Sequence, residues 1–384
     1  MTNLMLAGYA NLTLYIAMAV LALAMIAFSV HLAFSVSRAA GTDARAERAA
    51  VPTRLERPAA SAAAVGGATT RFEGSGAGGG VVTLDESPET ASPALPASES
   101  AGRGRAAGGV AMSLSWLGTF FLVTSVVLRG ASVSRPPLGN MFEFSTFGAM
   151  LVMLIYLGLS MKWPLRWLGL FVVVPVLLTL GLAMTVWYTA ASELLPSLKS
   201  VWLVIHVAVA TLATALFTLA CSVLILHLLK SRQVSAATSS GSAGAAPADG
   251  ALAAGPPAGT PTGAAGSART VWDGFLAGLP PARALDRISY GLHVVAFPLY
   301  TFTLIAGAIW AQQAWGSYWN WDPKEVWTFI VWVIYAAYLH ARATSGWSPR
   351  TANILALVGY AAIIVNFTVV NLYFPGQHSY SGLS

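Results

Sequence analysis

Eight long apolar segments constrain this chain more than any other feature of its sequence. They cover approximately residues 11–36, 111–128, 141–160, 167–186, 201–229, 289–311, 325–341 and 351–372. A helix of about 20 apolar residues is long enough to cross the hydrocarbon core of a bilayer. Charged residues make up only 9% of the chain, which is too few to cover a soluble domain. The sequence therefore predicts an all-α integral membrane protein with about eight transmembrane helices.

Two low-complexity stretches, residues 37–110 and 233–284, interrupt the apolar segments. Both are rich in Ala, Gly, Ser and Pro, and neither carries enough large apolar side chains to offset the entropy cost of ordering. We therefore expect two disordered linkers. They divide the chain into a first transmembrane helix within 1–36, four helices within 111–232 and three within 285–378.

The basic residues predict the orientation of the chain in the membrane. Arg38, Arg45 and Arg48 follow the first apolar segment, which places the amino terminus outside. With eight crossings the carboxyl terminus is also outside, both linkers are cytoplasmic, and 17 of the 21 Lys and Arg residues lie inside. Thirteen of these 17 are in the long linkers, where the positive-inside rule is weaker, so the short loops add only mild support.

Charge and cysteine content exclude several classes of function. The net charge of +6 is spread over the loops between helices, so it indicates membrane topology and no nucleic-acid partner. We expect the cytoplasmic (inner) membrane of a bacterium. The single cysteine, Cys221, lies within an apolar segment and is expected to be a buried core residue. A transporter of reducing equivalents is disfavoured, because one cysteine cannot cycle through a disulfide within the chain.

A tryptophan-rich stretch, residues 310–327, lies between the sixth and seventh apolar segments. It holds five of the chain's 13 tryptophans. Tryptophan collects at membrane interfaces, but an ordinary aromatic belt has one or two rings at each helix end. A run of rings around Gly316, followed by Asp322-Pro323-Lys324-Glu325, favours a flat platform for a large planar apolar ligand. A purely structural belt is the alternative. We call residues 310–327 the tryptophan segment.

Two histidines are predicted to lie on the same outer side as the tryptophan segment. His206 is near the outer end of the fifth apolar segment, and His378 follows the eighth. A pair of imidazoles above and below a macrocycle could supply both axial ligands to its metal. A lone histidine in a helix bundle is more often a polar residue satisfied by its neighbours. The presence of two on one side favours ligation.

The stretch WGSYWNWDPKEVWTFIVWVIYAAYLHAR, residues 315–342, resembles the WWD motif of haem-handling proteins. It is similar to the CcsA/ResC branch of the cytochrome c assembly family, which serves System II cytochrome c biogenesis. The stretches PLGNMFEF (137–144), LKSVWLVIH (198–206) and LDRISY (285–290) support the resemblance, as do Phe297 and Pro298. It covers residues 111–378 apart from the second linker.

The resemblance implies haem b as the ligand. It assigns His206 and His378 as the axial ligands of an extracytoplasmic site, and it assigns the residues that cradle the haem as Trp315, Gly316, Trp319, Trp321 and Asp322. His340, at the inner end of the seventh helix, matches a transmembrane histidine thought to serve haem on its way across. The chain departs from the simplest form of the family in its two long linkers.

The implied function is transport of haem to the outer face and its covalent attachment to CxxCH apocytochrome c, within a cytochrome c synthase complex. The chain lacks the large outer domain of fused family members, so the resemblance implies a separate ResB-type membrane partner. Thiol-reducing proteins would be indirect partners. Two alternatives stay open at this stage. One is a haem exporter without ligase activity, and the other is a structural subunit whose aromatic loop docks a partner.

Several charged residues and histidines are further candidates. Lys324, Arg129 and Arg135 are candidate partners for the haem propionates, with interfacial anchoring as the alternative. Asp322 and Glu325 are expected to cap the seventh helix, with Pro323 in its first turn, and Asp322 to hold an indole or a histidine. A cytoplasmic-side haem site is a further hypothesis. It would use His340 with a partner's histidine or with one of three others that fall near cytoplasmic helix ends: His31, His227 and His293.

Overall fold

The computed structural model of the chain describes residues 3–50, 97–192, 199–242, 273–344 and 346–378. Within these ranges, eight helices are long and apolar enough to cross a membrane. They are α1 (Leu4–Ala50), α2 (Ala97–Val133), α3 (Met141–Lys162), α4 (Gly169–Thr185), α5 (Val201–Ser242), α6 (Ala282–Trp315), α7 (Pro323–Ala343) and α8 (Pro349–Val365). The prediction of an all-α, multi-pass membrane protein is confirmed.

Four helices extend further than hydropathy alone predicts. α1 continues to Ala50, α2 begins at Ala97, α5 continues to Ser242 and α6 begins at Ala282, so each enters a stretch expected to be a disordered linker. The extensions of α1 and α2 contain Ala, Arg and Glu, which are good helix formers. The centres of both linkers, 51–96 and 243–272, lie outside the described residues.

The helices share two clusters of buried side chains. The first joins α1 to α4 and one face of α5, with Leu21, Phe28 and Tyr156 fully buried. The second joins α5 to α8 through aromatic rings, where Phe217 stacks on Tyr335 with centroids 4.0 Å apart. Both α5 and α6 contribute to the two clusters, and α5 is the most buried of the eight described membrane helices. Its Cys221 is buried, as predicted.

Successive membrane helices run in opposite directions, so every second connection lies at the same end of the bundle. The tryptophan segment lies at this end, which we call the tryptophan end. The amino terminus lies there too, because the Asn3 backbone N–H donates a 2.8 Å hydrogen bond to the carbonyl oxygen of Ser132 at the end of α2. His206 is in the second turn of α5, which also begins at the tryptophan end, and His378 follows α8 there. The fold therefore brings both histidines to the tryptophan segment, while the side of the membrane that this end faces stays a prediction.

The chain departs from regular α-helix where α8 ends, at the tryptophan end. After Val365 the chain forms a π-helical stretch, Asn366–Val370, and a last turn, Asn371–Tyr373. π-helical stretches within α-helices are rare and frequently lie at functional sites. Here the stretch brings Asn366 and Asn371 to the wall of the cavity described next.

Candidate functional site

A cavity of about 240 Å³ opens at the tryptophan end, between α3, α5, α6, α7 and α8. Most of its wall is apolar, including Leu203, Val207, Trp310, Tyr318, Trp319 and Phe367. Its polar members include His206, Thr214, Thr303, Lys324, Glu325, Thr328, Asn366, Asn371 and His378. A mostly apolar cavity with a few convergent polar groups is typical of a site for a small molecule or a cofactor.

His206 is held on the cavity wall by a hydrogen bond to the neighbouring helix. Its Nδ1 lies 2.9 Å from the carbonyl oxygen of Thr303 in α6. A carbonyl oxygen can only accept, so Nδ1 carries the proton and the lone pair of Nε2 remains available to a metal. Gly307 makes room for the ring, since a Cβ at this position would lie 2.8 Å from two imidazole atoms.

His378 is held in the same tautomer by a carboxylate. Its Nδ1 donates to Oδ2 of Asp322 across 2.8 Å, so the neutral ring carries its lone pair on Nε2. Pairing of a histidine with a carboxylate in this way orients the ring and raises its basicity as a metal ligand. The contact expected between Asp322 and a histidine is therefore present.

Asp322 is itself buried, and both of its carboxylate oxygens accept hydrogen bonds. Its other oxygen, Oδ1, accepts a 2.6 Å hydrogen bond from the Gln377 backbone, and Oδ2 also accepts one from the Lys324 backbone at 3.2 Å. Burial alone would raise the pKa of this carboxyl, but the hydrogen bonds from His378, Gln377 and Lys324 outweigh it and hold the pKa below the usual value. Asp322 is therefore an anion at neutral pH.

The same aspartate begins α7 in a capping box. Oε2 of Glu325 accepts hydrogen bonds from the backbone N–H groups of Asn320, at 2.9 Å, and Asp322, at 3.1 Å. Pro323 occupies the first position of the helix, where its missing N–H costs nothing. The prediction that Asp322 and Glu325 cap this helix is confirmed.

Two indole rings connect the two histidines. Trp310, only 1% exposed, lies nearly parallel to the His206 ring, at 16° with centroids 6.2 Å apart. Its edge meets the His378 ring at 5.6 Å, and Trp315 contacts the same ring at 4.9 Å. These contacts restrict the orientation of both imidazoles. Trp310 lies within the predicted segment, but its contact with both histidines could not be foreseen from sequence.

The other residues predicted to cradle the haem differ in their position relative to the cavity. Trp319 lines the cavity, whereas Trp321 is 78% exposed and packs edge-on against Trp319 at 5.9 Å. Gly316 ends α6 at φ +75°, a left-handed conformation that favours glycine. Trp321 has φ +57°, which is unusual for a bulky residue and is the kind of strain found at functional sites.

Arg129 and Arg135 are not on the cavity wall, although the sequence makes them candidates for binding a ligand's carboxylates. Both form ion pairs with Glu143, whose side chain is fully buried. Nε of Arg129 lies 3.1 Å from Oε1 of Glu143, and Nη1 of Arg135 lies 2.8 Å from Oε2. They also donate to the carbonyl oxygens of Thr189 and Ser192. Their contacts therefore fasten the chain after α4 to the start of α3.

The structure does not support a site formed by His340 and His293 within this chain. His293 is buried, and its ring lies 4.8 Å from that of Tyr338. Tyr338 and His340 are two residues apart on α7, which places them on nearly opposite faces of the helix. His340 is exposed, and it therefore faces away from His293. The Nδ1 atoms of His31 and His227 lie within hydrogen-bond distance of backbone carbonyl oxygens.

Among the residues of the site that the sequence does not mark as candidates are Thr303, Gly307, Asn366 and Asn371. For the two asparagines a signal existed, because polar residues in an otherwise apolar membrane segment usually face a cavity or a functional site. For Thr303 and Gly307 no local pattern exists, since their role depends on how α5 and α6 pack.

These features define a class: a multi-pass membrane protein whose helix bundle holds two tautomer-fixed histidines on one aromatic cavity. Comparison with known proteins then shows that the chain belongs to the cytochrome c assembly protein family, whose family model matches residues 138–378. The matched region contains His206, the tryptophan segment, His340 and His378.

Several relatives carry the name cytochrome c biogenesis protein CcsA. The chain is 32% identical over 299 residues to that of Parasynechococcus marenigrum, covering 75% of this chain and 91% of the relative. It is 36% identical over 268 residues to that of Gloeobacter violaceus, with 65% and 79% covered. The Marchantia polymorpha protein is 32% identical over 297 residues, with 69% and 84% covered. Similarity across most of both chains indicates a shared role in cytochrome c biogenesis.

Proposed function

We propose that the cavity at the tryptophan end binds haem b, with His206 and His378 as its axial ligands. One observation carries this proposal: two imidazoles line one cavity, and in each the Nδ1–H donates to an oxygen, so the neutral ring has its lone pair on Nε2. The donor set fits haem iron, which two histidines ligate from opposite faces. The cradle would consist of the rings and turn of the tryptophan segment: Trp315, Gly316, Trp319, Trp321 and Asp322.

The haem is cargo, and the proposed task of the chain is to present it for covalent attachment to a CxxCH apocytochrome c. In that reaction each cysteine thiol adds across a vinyl group: a C–S bond forms, the thiol hydrogen goes to the neighbouring vinyl carbon, and nothing leaves. The contribution of this chain is proximity and orientation, which alone can supply a large part of a rate enhancement. Asp322 fixes the His378 ring, and contacts with Trp310 restrict both imidazoles.

We propose that the tryptophan end faces outward from a bacterial inner membrane. The excess of Lys and Arg in the connections at the opposite end supports this orientation. A ResB-type membrane partner would complete the synthase complex. His340, exposed on α7 near the inner end, would serve haem during its crossing together with a group of that partner, since its ring faces away from His293.

The absorption spectrum of the purified protein tests the ligand set. The wild type should show a bis-histidine haem spectrum, and a His206→Ala/His378→Ala double variant should lose it. His31→Ala is the matched control, because His31 lies near the opposite end of the bundle. A bis-histidine spectrum that survives the double change would show that this pair is not the ligand set.

Cells carrying His206→Ala separate the ligase role from its alternatives. Loss of holocytochrome c while haem still reaches the outer face supports a ligase role. Normal holocytochrome c formation without this histidine favours an exporter. Purified wild type that shows no haem absorption, alone or with its partner, favours a structural subunit whose aromatic loop docks another protein.

A further inference from the structure

Lys324 places a cation on the wall of the candidate haem cavity. It is the second residue of α7, its side chain is half-buried, and its ammonium donates a hydrogen bond to Oδ1 of Asn371. Asn371 follows the π-helical stretch of α8 and lines the same cavity. The amide is a neutral acceptor, so it orients the ammonium without neutralising it.

The acidic residues nearest in sequence to Lys324 are committed to other partners. Asp322 accepts from His378 and two backbone N–H groups, and Glu325 accepts from two backbone N–H groups of the capping box. Among the residues that the structure describes, no carboxylate oxygen lies within 4.0 Å of the Lys324 ammonium. Within the described chain, the ammonium on the cavity wall therefore has no direct ion-pair partner, and the charge of Asp322 acts on it only from a longer distance.

An unpaired ammonium in a mostly apolar cavity is costly, because a buried charge loses its hydration without gaining a counter-ion. A ligand that carries a carboxylate would remove this cost and form a charge-assisted hydrogen bond. Arg129 and Arg135, the other two candidate partners for a ligand's carboxylate, both form ion pairs with Glu143 away from the cavity. Only Lys324, of the three, faces the cavity.

We infer that Lys324, held by Asn371, binds one propionate carboxylate of the haem and so fixes which edge of the porphyrin lies against α7 and α8. This inference rests on the proposed function. The propionates and the vinyl groups project from opposite edges of the macrocycle. Binding of the propionate edge here therefore directs the vinyl edge away from the wall formed by α7 and α8, and Lys324 orients the haem for attachment.

The test compares haem with haem dimethyl ester, whose propionates are neutral. The full-length protein is purified in detergent, stripped of haem and titrated with each compound, and binding is followed by the Soret band. The measured quantity is the ratio of the two dissociation constants. Lys324→Met keeps the length of the side chain and removes its charge, Lys324→Arg keeps the charge, and Lys199→Met is the control at an exposed lysine of the tryptophan end.

We expect the preference for the free acid to fall on the order of tenfold or more in Lys324→Met, because charge-assisted hydrogen bonds contribute this much. Affinity for the diester should be unchanged, and Lys324→Arg and Lys199→Met should keep the preference. A preference that survives in Lys324→Met, or an equal loss for both compounds, overturns the inference while haem binding stands. Absence of binding of either compound to the wild type overturns the proposed function itself.

Discussion

Asp322 accepts a 2.8 Å hydrogen bond from Nδ1 of His378, although 56 residues separate them in the chain. Asp322 is also the N-cap of α7, so its position is set by the first turn of that helix. The hydrogen bond to this carboxylate therefore restricts the His378 ring, which lies in a short segment after α8. A candidate metal ligand outside regular secondary structure is in this way attached to the first turn of a helix.

Replacing Asp322 by Asn should therefore weaken haem binding. The amide keeps the shape of the side chain but loses the charge that orients the His378 ring and raises its basicity. Loss of such a supporting partner typically reduces metal affinity by about 10- to 100-fold. Titration of the haem-free variant with haem measures the effect.

Glu325→Gln is the matched control for Asp322→Asn. It alters the other half of the same capping box, but among the described residues the Glu325 carboxylate accepts from backbone N–H groups of the capping box and not from His378. We expect a small loss of thermal stability and nearly unchanged haem affinity. Equal affinity losses in both variants would mean that the start of α7, and not the Asp322–His378 contact, determines binding.

Gly307→Ala should displace the other proposed ligand. A Cβ at this position would lie 2.8 Å from two atoms of the His206 ring, so the imidazole or α6 must move. We expect loss of the bis-histidine spectrum, or a large fall in haem affinity, because the ring can no longer keep its hydrogen bond to Thr303. Absorption spectra before and after haem titration measure this.

Gly291→Ala provides the comparison on the same helix. A Cβ there meets nothing within 4 Å, and alanine in a helix interior is more stable than glycine by about 0.5–1 kcal/mol. This variant should keep its spectrum and melt slightly higher. If Gly307→Ala behaved in the same way, the close packing of His206 on α6 would be refuted.

Glu143→Gln should destabilise the tryptophan end without changing the iron ligands. Glu143 accepts from Arg129, from Arg135 and from the Gly139 backbone, and its side chain is completely buried. Removing its charge leaves two clustered guanidinium groups uncompensated, and breaking a buried ion pair costs about 3–5 kcal/mol. Thermal unfolding of the purified protein should show a markedly lower midpoint.

Asp273→Asn tests whether that effect is specific to the buried cluster. Asp273 is exposed and accepts from Gln233, so its replacement should change stability by less than about 0.5 kcal/mol. Folded Glu143→Gln protein should keep the wild-type haem spectrum. A changed spectrum would instead mean that Glu143 acts directly on the ligands.

Some of this architecture could be predicted from the sequence because it depends on local pattern or on counting. Hydropathy needs only a window of about 20 residues, and it predicts the eight membrane segments. An even number of crossings, α5 to α8, separates His206 from His378, so the two histidines lie at the same end. The capping box of α7 is a four-residue pattern, so Asp322 and Glu325 were predictable as well.

Other features depend on packing between helices and could not be read from the sequence. The association of Arg129 and Arg135 with Glu143 depends on a turn that folds back on α3, so the sequence alone makes both arginines candidates for binding a ligand. His340 and His293 fall near the same helix ends, but the rotation of α7 about its axis turns His340 outward. The space left by Gly307 for His206 depends on the closeness of α5 and α6.

A final prediction concerns Gly376→Ala, alone and together with Asp322→Asn. A Cβ on Gly376 would clash with Oδ1 of Asp322 and approach Cδ of Pro323 to 3.2 Å, so the segment that carries His378 must move away from α7. We expect haem affinity to fall about as far as in Asp322→Asn. Because both changes act through the same contact, the double variant should lose little more than either single variant, as coupled residues do. Haem titrations of all four proteins measure the coupling. Fully additive losses would show that Gly376 affects haem binding by a route other than the hydrogen bond between Asp322 and His378.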